Sequence, residues 1–262
     1  MTGRLNKQTI IVTGAGSGLG RASAVKLAEE DAQVFCVDVN PETVKETSDI
    51  ITSRGGAASY YQADMCSETE IIEMVTEAEK TFNGIDGLLA NAGIAGTGAA
   101  HETSLEDWDR LIKVSLTGKW LCAKHVIPYF ISQKSGNIVF QSSICAINGF
   151  PKLVAYTAAK GAIAAITRQM AADYGEYNIR INAIAPGTIE TELVRETYKQ
   201  RLDSAKSDIT VEQSLSQTAS RYPLRRLGHE MDVSNMSVFL FSDESSWMTG
   251  TVIPVDGGYT AK

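Results

Sequence analysis

Short apolar runs rich in β-branched residues alternate along this chain with longer segments of helical period. Runs without strict polar alternation belong to strands buried on both faces, as in a parallel sheet covered by helices on either side. The pattern predicts strands at Thr9–Thr13, Gln33–Asp38, Ala57–Gln62, Gly87–Ala90, Asn137–Ser142, Ile179–Ala183 and Val252–Val255. Helices are predicted between them at Leu19–Glu30, Pro41–Arg54, Glu68–Phe82, Leu105–Ser132, Ala155–Tyr174 and Glu230–Phe241. Pro41 suits a first helical turn behind Asn40 as N-cap. This order of elements implies an α/β fold, a single doubly wound domain over residues 1–262 with a seven-stranded parallel sheet.

One stretch breaks the rhythm. From Thr188 to Leu227 the residues are polar, mixed in charge and weakly helical. A segment of that length suits a lid or an Ω-like insertion over a site.

Composition narrows the partners. The 262 residues carry 24 basic and 31 acidic side chains, a net charge of −7, which argues against nucleic acid or an anionic membrane surface. No apolar run reaches the roughly 18 residues that a membrane span needs, and no apolar signal segment precedes the first strand, so cytoplasmic residence is the expectation. The four cysteines and three histidines are scattered, which predicts free thiols and no metal site. Cys145 is expected to be a small buried residue.

Between the first strand and first helix lies Thr13-Gly14-Ala15-Gly16-Ser17-Gly18-Leu19-Gly20. Glycines there permit positive φ and let backbone amides approach a pyrophosphate at the positive end of a helix. The spacing is Thr-Gly-x-x-x-Gly-x-Gly, since Leu19 stands where a simple GxGxxG would place its last glycine. Any tight turn can be glycine-rich, but the position between strand and helix favours phosphate binding. Asp38 ends the second strand, where a carboxylate can accept both ribose hydroxyls of an adenosine and repel a 2′-phosphate. Ser17 supplies no cation to the loop, and none follows Asp38 directly, so the cofactor expected is NAD.

Tyr156 and Lys160 stand four apart in an alanine-rich helical stretch, with Ser142 and Ser143 upstream. The spacing puts both side chains on one helical face. A free phenol titrates near 10. An ammonium about 4 Å away interacts by roughly 4 kcal/mol at an effective dielectric near 20, enough to lower a tyrosine pKa by up to about 3. In isolation, such a pair is more often a surface feature. Here a nucleotide loop, a ribose reader and an upstream serine accompany it.

With these motifs assembled, the chain resembles the short-chain dehydrogenase/reductase family over nearly its full length, in a Rossmann-type fold. The matching segments are Thr13–Gly20, Asn91-Ala92-Gly93, Ser143, Tyr156 with Lys160, Pro186-Gly187 with Thr191, and Asp256-Gly257-Gly258. The resemblance implies that Gly14, Ser17, Gly18, Leu19 and Gly20 hold the cofactor with Asp38. Asp64 is implied at the adenine, Asn91 and Gly93 in support of the cleft, and Pro186, Gly187 and Thr191 at the nicotinamide. Ser143 would hydrogen-bond the substrate oxygen. Tyr156 would be the acid/base, with Lys160 on the nicotinamide ribose. Ser115 replaces a usual asparagine whose main-chain carbonyl helps hold a relay water, and serine keeps that carbonyl. Ala90 replaces another frequent asparagine.

The implied reaction is interconversion of a secondary alcohol and a ketone by hydride transfer with NAD(H). Two rivals stand beside it: a 3-oxoacyl thioester reductase, which the NAD preference disfavours, and a dinucleotide-binding regulatory protein without turnover. Ile144, Ala146, Phe150 and Leu153 are expected to wall a partly apolar substrate pocket. Lys152 and Arg195 are either solvated surface residues or hooks for an anionic group. The small residues of Ala155–Ala172 permit close helix packing, and the resemblance implies a homodimer or homotetramer built on that helix and the long one before it.

Overall fold

The computed structural model describes residues 3–204 and 207–261. Met1, Thr2, Ala205, Lys206 and Lys262 lie outside the described residues, and with them the first positions of the chain's start and two positions of the expected lid.

Seven parallel strands form one sheet: β1 (Thr9–Thr13), β2 (Gln33–Asp38), β3 (Ala57–Gln62), β4 (Gly87–Ala90), β5 (Gly136–Gln141), β6 (Ile179–Pro186) and β7 (Val252–Val255). Their order is β3-β2-β1-β4-β5-β6-β7, all in parallel register. Every residue of β1, β4 and β5 is buried, with apolar centres and polar residues only at the ends of β1 and near the ends of β5. The edge strands β3 and β7 are partly exposed.

Nine α-helices are described: α1 (Gly18–Glu29), α2 (Pro41–Ser53), α3 (Glu68–Phe82), α4 (Leu105–Ile112), α5 (Gly118–Gln133), α6 (Val154–Tyr174), α7 (Glu192–Ser204), α8 (Val211–Ala219) and α9 (Glu230–Phe241). On one face of the sheet, Leu27 of α1, Val44 of α2 and Val233 of α9 pack over Val12 and Val34. On the other, Ile71 of α3, Val126 of α5 and Ile163 of α6 cover Ile11 and Ile138. Asn40 caps α2 as expected, its Oδ1 accepting the Glu42 and Thr43 amides at 3.0 and 3.2 Å. The strand order reverses between β1 and β4, and this opens a crevice at the carboxyl ends of the strands.

Three elements differ from the expectation. The helix expected over Leu105–Ser132 is two α-helices joined by a π-helical turn at Lys113–Thr117. In that turn Ser115 is fully buried and its Oγ accepts the Ile94 amide at 3.1 Å, a tertiary bond that no local pattern announces. Strand β6 runs to Pro186 rather than Ala183, because Ile184 to Pro186 pair with Ile253 to Val255. Strand β5 sits one residue earlier than expected, from Gly136 to Gln141. The 188–227 stretch carries α7 and α8, gathered on a small core of Leu215, Tyr222 and Leu227.

Candidate active site

The crevice is a cleft of about 1300 Å³. Its floor at one end is the turn from β1 into α1, lined by Gly14, Ser17, Gly18, Leu19 and Gly20. Gly14 takes φ of +67°, and a Cβ on Gly20 would run into the Gly14 carbonyl, so the close turn requires glycine at both places. Ser17 stands at the N-cap of α1 but makes no side-chain cap bond, so the positive end of the helix faces the cleft uncapped. Behind the loop, Asn91 Nδ2 donates to the Thr13 and Gly14 carbonyls at 3.0 and 3.3 Å. Thr13 Oγ1 accepts the amides of Asn91 and Ala92, both at 3.1 Å. These bonds tie the end of β4, and Gly93 after it, to the loop.

Asp38, at the end of β2, also lines the cleft. Its Oδ2 accepts the Gly16 amide at 2.9 Å and its Oδ1 the Asn40 amide at 3.1 Å. An ionised carboxylate offers about four acceptor sites, so two remain for hydroxyls. The nearby cation, Arg21, is committed to Glu46 at 2.7 Å and to the carbonyls of Gly16 and Thr43.

At the other end, Ser143, Tyr156 and Lys160 converge with Pro186, Gly187 and Thr191. Ser143, after β5, accepts the Cys145 amide at 3.2 Å, and both it and Tyr156 line the cleft. Ser142 turns away and donates to the Lys160 carbonyl at 3.1 Å. Lys160 Nζ donates to the Gln141 carbonyl at 3.0 Å and lies 5.3 Å from the Tyr156 ring centroid.

The electrostatics of this pair correct the expectation that Lys160 lowers the phenol. Burial pushes Tyr156 up to about 12, against a downward pull from the Ser143 hydrogen bond. Burial likewise brings Lys160 down to about 8, opposed by a hydrogen bond with Lys119. The ammonium sits over the ring face and toward a carbonyl, so desolvation outweighs its pull on the phenol oxygen.

Ile144, Phe150 and Leu153 line the cleft, and Phe150 stacks on Tyr259 with centroids 5.5 Å apart. Ala146 is half-buried and lies outside the lining, as does Ser115, whose hydroxyl is spent on Ile94. Asp64 sits beyond the end of β3, its Oδ1 accepting the Cys66 amide at 2.8 Å, and it too is outside the lining. Lys152 is exposed and 3.6 Å from Glu102, while Arg195 is ion-paired to Glu190 and Glu212. Both are engaged away from the cleft. Cys145 is buried and does line it, and all four cysteines are free.

Sequence reasoning missed Tyr198, Arg201, Tyr222 and Tyr259, which line the substrate side. Tyr222 Oη accepts the Thr188 amide at 2.7 Å and donates to Thr188 Oγ1 at 2.8 Å, so it anchors the start of the 188–227 stretch. The available signal was aromatic residues recurring in an otherwise polar segment. It also missed Lys119, near the start of α5 and only 1% exposed, whereas Lys124 on the same helix reaches Glu68 at the surface.

A family model described as enoyl-(acyl carrier protein) reductase matches residues 14–260. Over 261 residues, and the full length of both proteins, the chain is 35% identical to 2-(S)-hydroxypropyl-CoM dehydrogenase 3 of Xanthobacter autotrophicus. It superposes with a TM-score of 0.95 on carveol dehydrogenase from Mycobacterium avium in complex with NAD, at 28% identity and 100% coverage of both chains. A short-chain type dehydrogenase/reductase from Mycobacterium marinum gives a TM-score of 0.89 at 28% identity, covering 98% of this chain and 97% of the other.

Proposed function

The chain belongs to the short-chain dehydrogenase/reductase family, and from that premise we propose that it interconverts a secondary alcohol and a ketone with NAD(H). The observation that carries this is the convergence of the Ser143 and Tyr156 hydroxyls and the Lys160 amine at one end of a cleft whose other end holds the glycine loop and Asp38. The residues fit a dinucleotide: an uncapped helix terminus for the pyrophosphate, a carboxylate with spare acceptor capacity for the ribose, and a local cation neutralised by Glu46. When bound, the nicotinamide supplies the hydride acceptor or donor at C4.

The chain's own residues orient the oxygen and move its proton. Ser143 and Tyr156 hold the carbinol or carbonyl oxygen. In reduction the Tyr156 phenol donates its proton to the oxygen that becomes hydroxyl, and a phenol held near 12 stays protonated for that role. In oxidation the ionised Tyr156 oxygen takes the alcohol proton and becomes the phenol. Forming that phenolate beforehand needs positive charge nearby, and Lys160 supplies it while positioning the ribose. Asn91 and Gly93 brace the cofactor side; Pro186, Gly187 and Thr191 border the nicotinamide, and Asp64 the adenine. Ser115 presents its main-chain carbonyl to the proton path. The 188–227 stretch, with α7 and α8, serves as lid to a single catalytic domain, closing over a substrate wall of Ile144, Phe150 and Leu153.

No described helix is long and apolar enough to cross a membrane. Free thiols suit a reducing, cytoplasmic setting. Assembly as a homodimer or homotetramer through α5 and α6 is supported by Trp120, 45% exposed on α5. A second reading, a thioester reductase, draws support from the description of the matched family model, while Asp38 weighs against it. A panel of secondary alcohols, ketones and acetoacetyl thioesters, followed by NADH absorbance, tests the proposal. NADH binding without turnover of any member overturns it, and a marked preference for the thioesters selects the second reading.

A further inference from the structure

Lys119 carries a charge-bearing group that the reaction as described does not use. It stands one turn after Ser115 at the start of α5, 1% exposed, and its Nζ donates to the Gln141 carbonyl at 2.6 Å. Lys160 Nζ donates to the same carbonyl at 3.0 Å, so the two amines converge on one acceptor. Two ammonium groups cannot comfortably share one acceptor in a buried site. Like charges repel there, and neither has enough partners for three N–H donors. Among the described residues, Lys119 has one hydrogen-bond acceptor, the Gln141 carbonyl. As an ammonium it would leave donors unsatisfied, whereas as a neutral amine it donates to Gln141 and offers a lone pair to Lys160.

The surroundings decide which lysine is neutral. The titratable groups acting on Lys119 are Lys160 from α6 and Cys122 on its own helix. Glu68, from the facing helix α3, is turned to Lys124 and His125 on the outside of α5. Around Lys160 stand Lys119 and Cys145, with Tyr156 one turn away. Lys160 lines the open cleft, where solvent can serve its remaining donors, while Lys119 does not reach it and burial pushes its amine down.

We propose that Lys119 is a positioning residue for the Tyr156–Lys160 pair: its uncharged amine accepts a hydrogen bond from the Lys160 ammonium and so keeps Lys160 protonated in a site that would otherwise strip its proton. This rests on the role given above to Tyr156 and Lys160 and extends it, since it names what sustains the cation the oxidation step requires. Only the alcohol proton moves in that step, to the Tyr156 oxygen, and Lys119 neither gains nor loses one.

The test compares wild type with Lys119→Met, which keeps the length of the side chain and removes its lone pair and donors. In Lys119→Met the Lys160 cation loses an acceptor, so the pH–rate limb for alcohol oxidation should move up by about one pH unit, with kcat/KM near pH 7 about tenfold lower and the two enzymes converging at high pH. A limb that stays in place, or moves down as it would on losing a second cation, overturns the proposal. A readout independent of turnover is the Cε resonance of 13C-labelled lysines in cofactor-free protein. One lysine should be a neutral amine at pH 7 in wild type and missing from Lys119→Met. A wild-type spectrum with every lysine charged at pH 7 overturns the proposal even if the variant does not fold. Should wild type turn over no alcohol or ketone, the catalytic reading fails, while the lysine spectrum still decides the state of Lys119.

Discussion

Arg21 and Glu46 form a 2.7 Å ion pair at the end of the cleft that Asp38 lines, so the arginine held against the glycine loop has its charge already matched. Arg21 also donates to the carbonyls of Gly16 and Thr43, which fixes its guanidinium against the loop. A 2′-phosphate entering this corner would meet the Asp38 carboxylate without a spare cation, whereas ribose hydroxyls would meet acceptors.

Asp38→Ser should therefore invert the balance of cofactors. Losing hydrogen bonds to a charged acceptor costs about 1.5–3 kcal/mol, so kcat/KM with NADH should fall roughly 10–100-fold. NADPH should lose much less or gain, because the repulsion goes with the carboxylate. Steady-state kinetics with both cofactors check this, and an unchanged ratio would remove Asp38 from the ribose site.

Tyr156→Phe removes the phenolic oxygen and little else, for the ring is held by packing with Leu111, Ala155 and Ala159. Turnover should fall by about 10²–10⁴-fold, the usual contribution of a placed acid/base, with NADH affinity nearly unchanged. Single-turnover hydride transfer together with NADH fluorescence titration separates the two effects. Near-normal turnover would refute the role.

The sheet was legible in the sequence because strands such as β1 and β4 are buried on both faces and so carry apolar residues side by side instead of alternating. The ends of elements were less so. Strand β6 extends to Pro186 through pairing with a strand about seventy residues later, and the π turn around Ser115 is settled by the bond to Ile94. At the site, residue types announced the chemistry of Ser143, Tyr156 and Lys160, since few side chains do that work. Their titration did not follow from spacing. Four residues of helical separation promised a cation beside the phenol oxygen, but the Gln141 carbonyl and Lys119 draw the amine to the ring face, and burial then dominates both groups. Lys119 was invisible for a related reason: a lysine on a helix is ordinarily a chain that reaches solvent, as Lys124 does, and here the side chain is enclosed.

The buried lysine should show in stability as well as rate. Lys160 has its pKa lowered from 10.5 to about 8 in the native state. Between those values the unfolded chain binds the proton and the native one does not, so this group's contribution to stability rises with pH across that window and is fully present above it. Buried Cys36 and Cys122 and half-buried Tyr156, each pushed up to about 12, act in the opposite direction at higher pH, since there the native state retains protons that the unfolded chain has lost. Lys160→Met removes this group and also relieves Lys119 of the neighbouring charge that pushes it down. Below pH 8 the methionine variant should be the more stable, and its advantage should shrink by up to about 3 kcal/mol as pH rises to 10.5. Urea midpoints measured across that range check it, and a constant gap would show that Lys160 is not desolvated as described.

Thr13→Val tests the brace between β1 and the segment after β4. Thr13 is 1% exposed, and its Oγ1 accepts the Asn91 and Ala92 amides. Valine fills the same volume but accepts nothing. Asn91 retains the Leu89 carbonyl as acceptor for its amide, so the amide left without its partner is that of Ala92. One buried donor stranded in this way costs about 1–3 kcal/mol. The urea midpoint should fall accordingly with an unchanged slope. The same Asn91 side chain holds the Thr13 and Gly14 carbonyls, so loosening this corner should also weaken NADH binding several-fold while leaving the pH dependence of turnover where it was. Lost stability with intact NADH affinity would show that the brace serves the fold and leaves the cofactor loop correctly shaped without it.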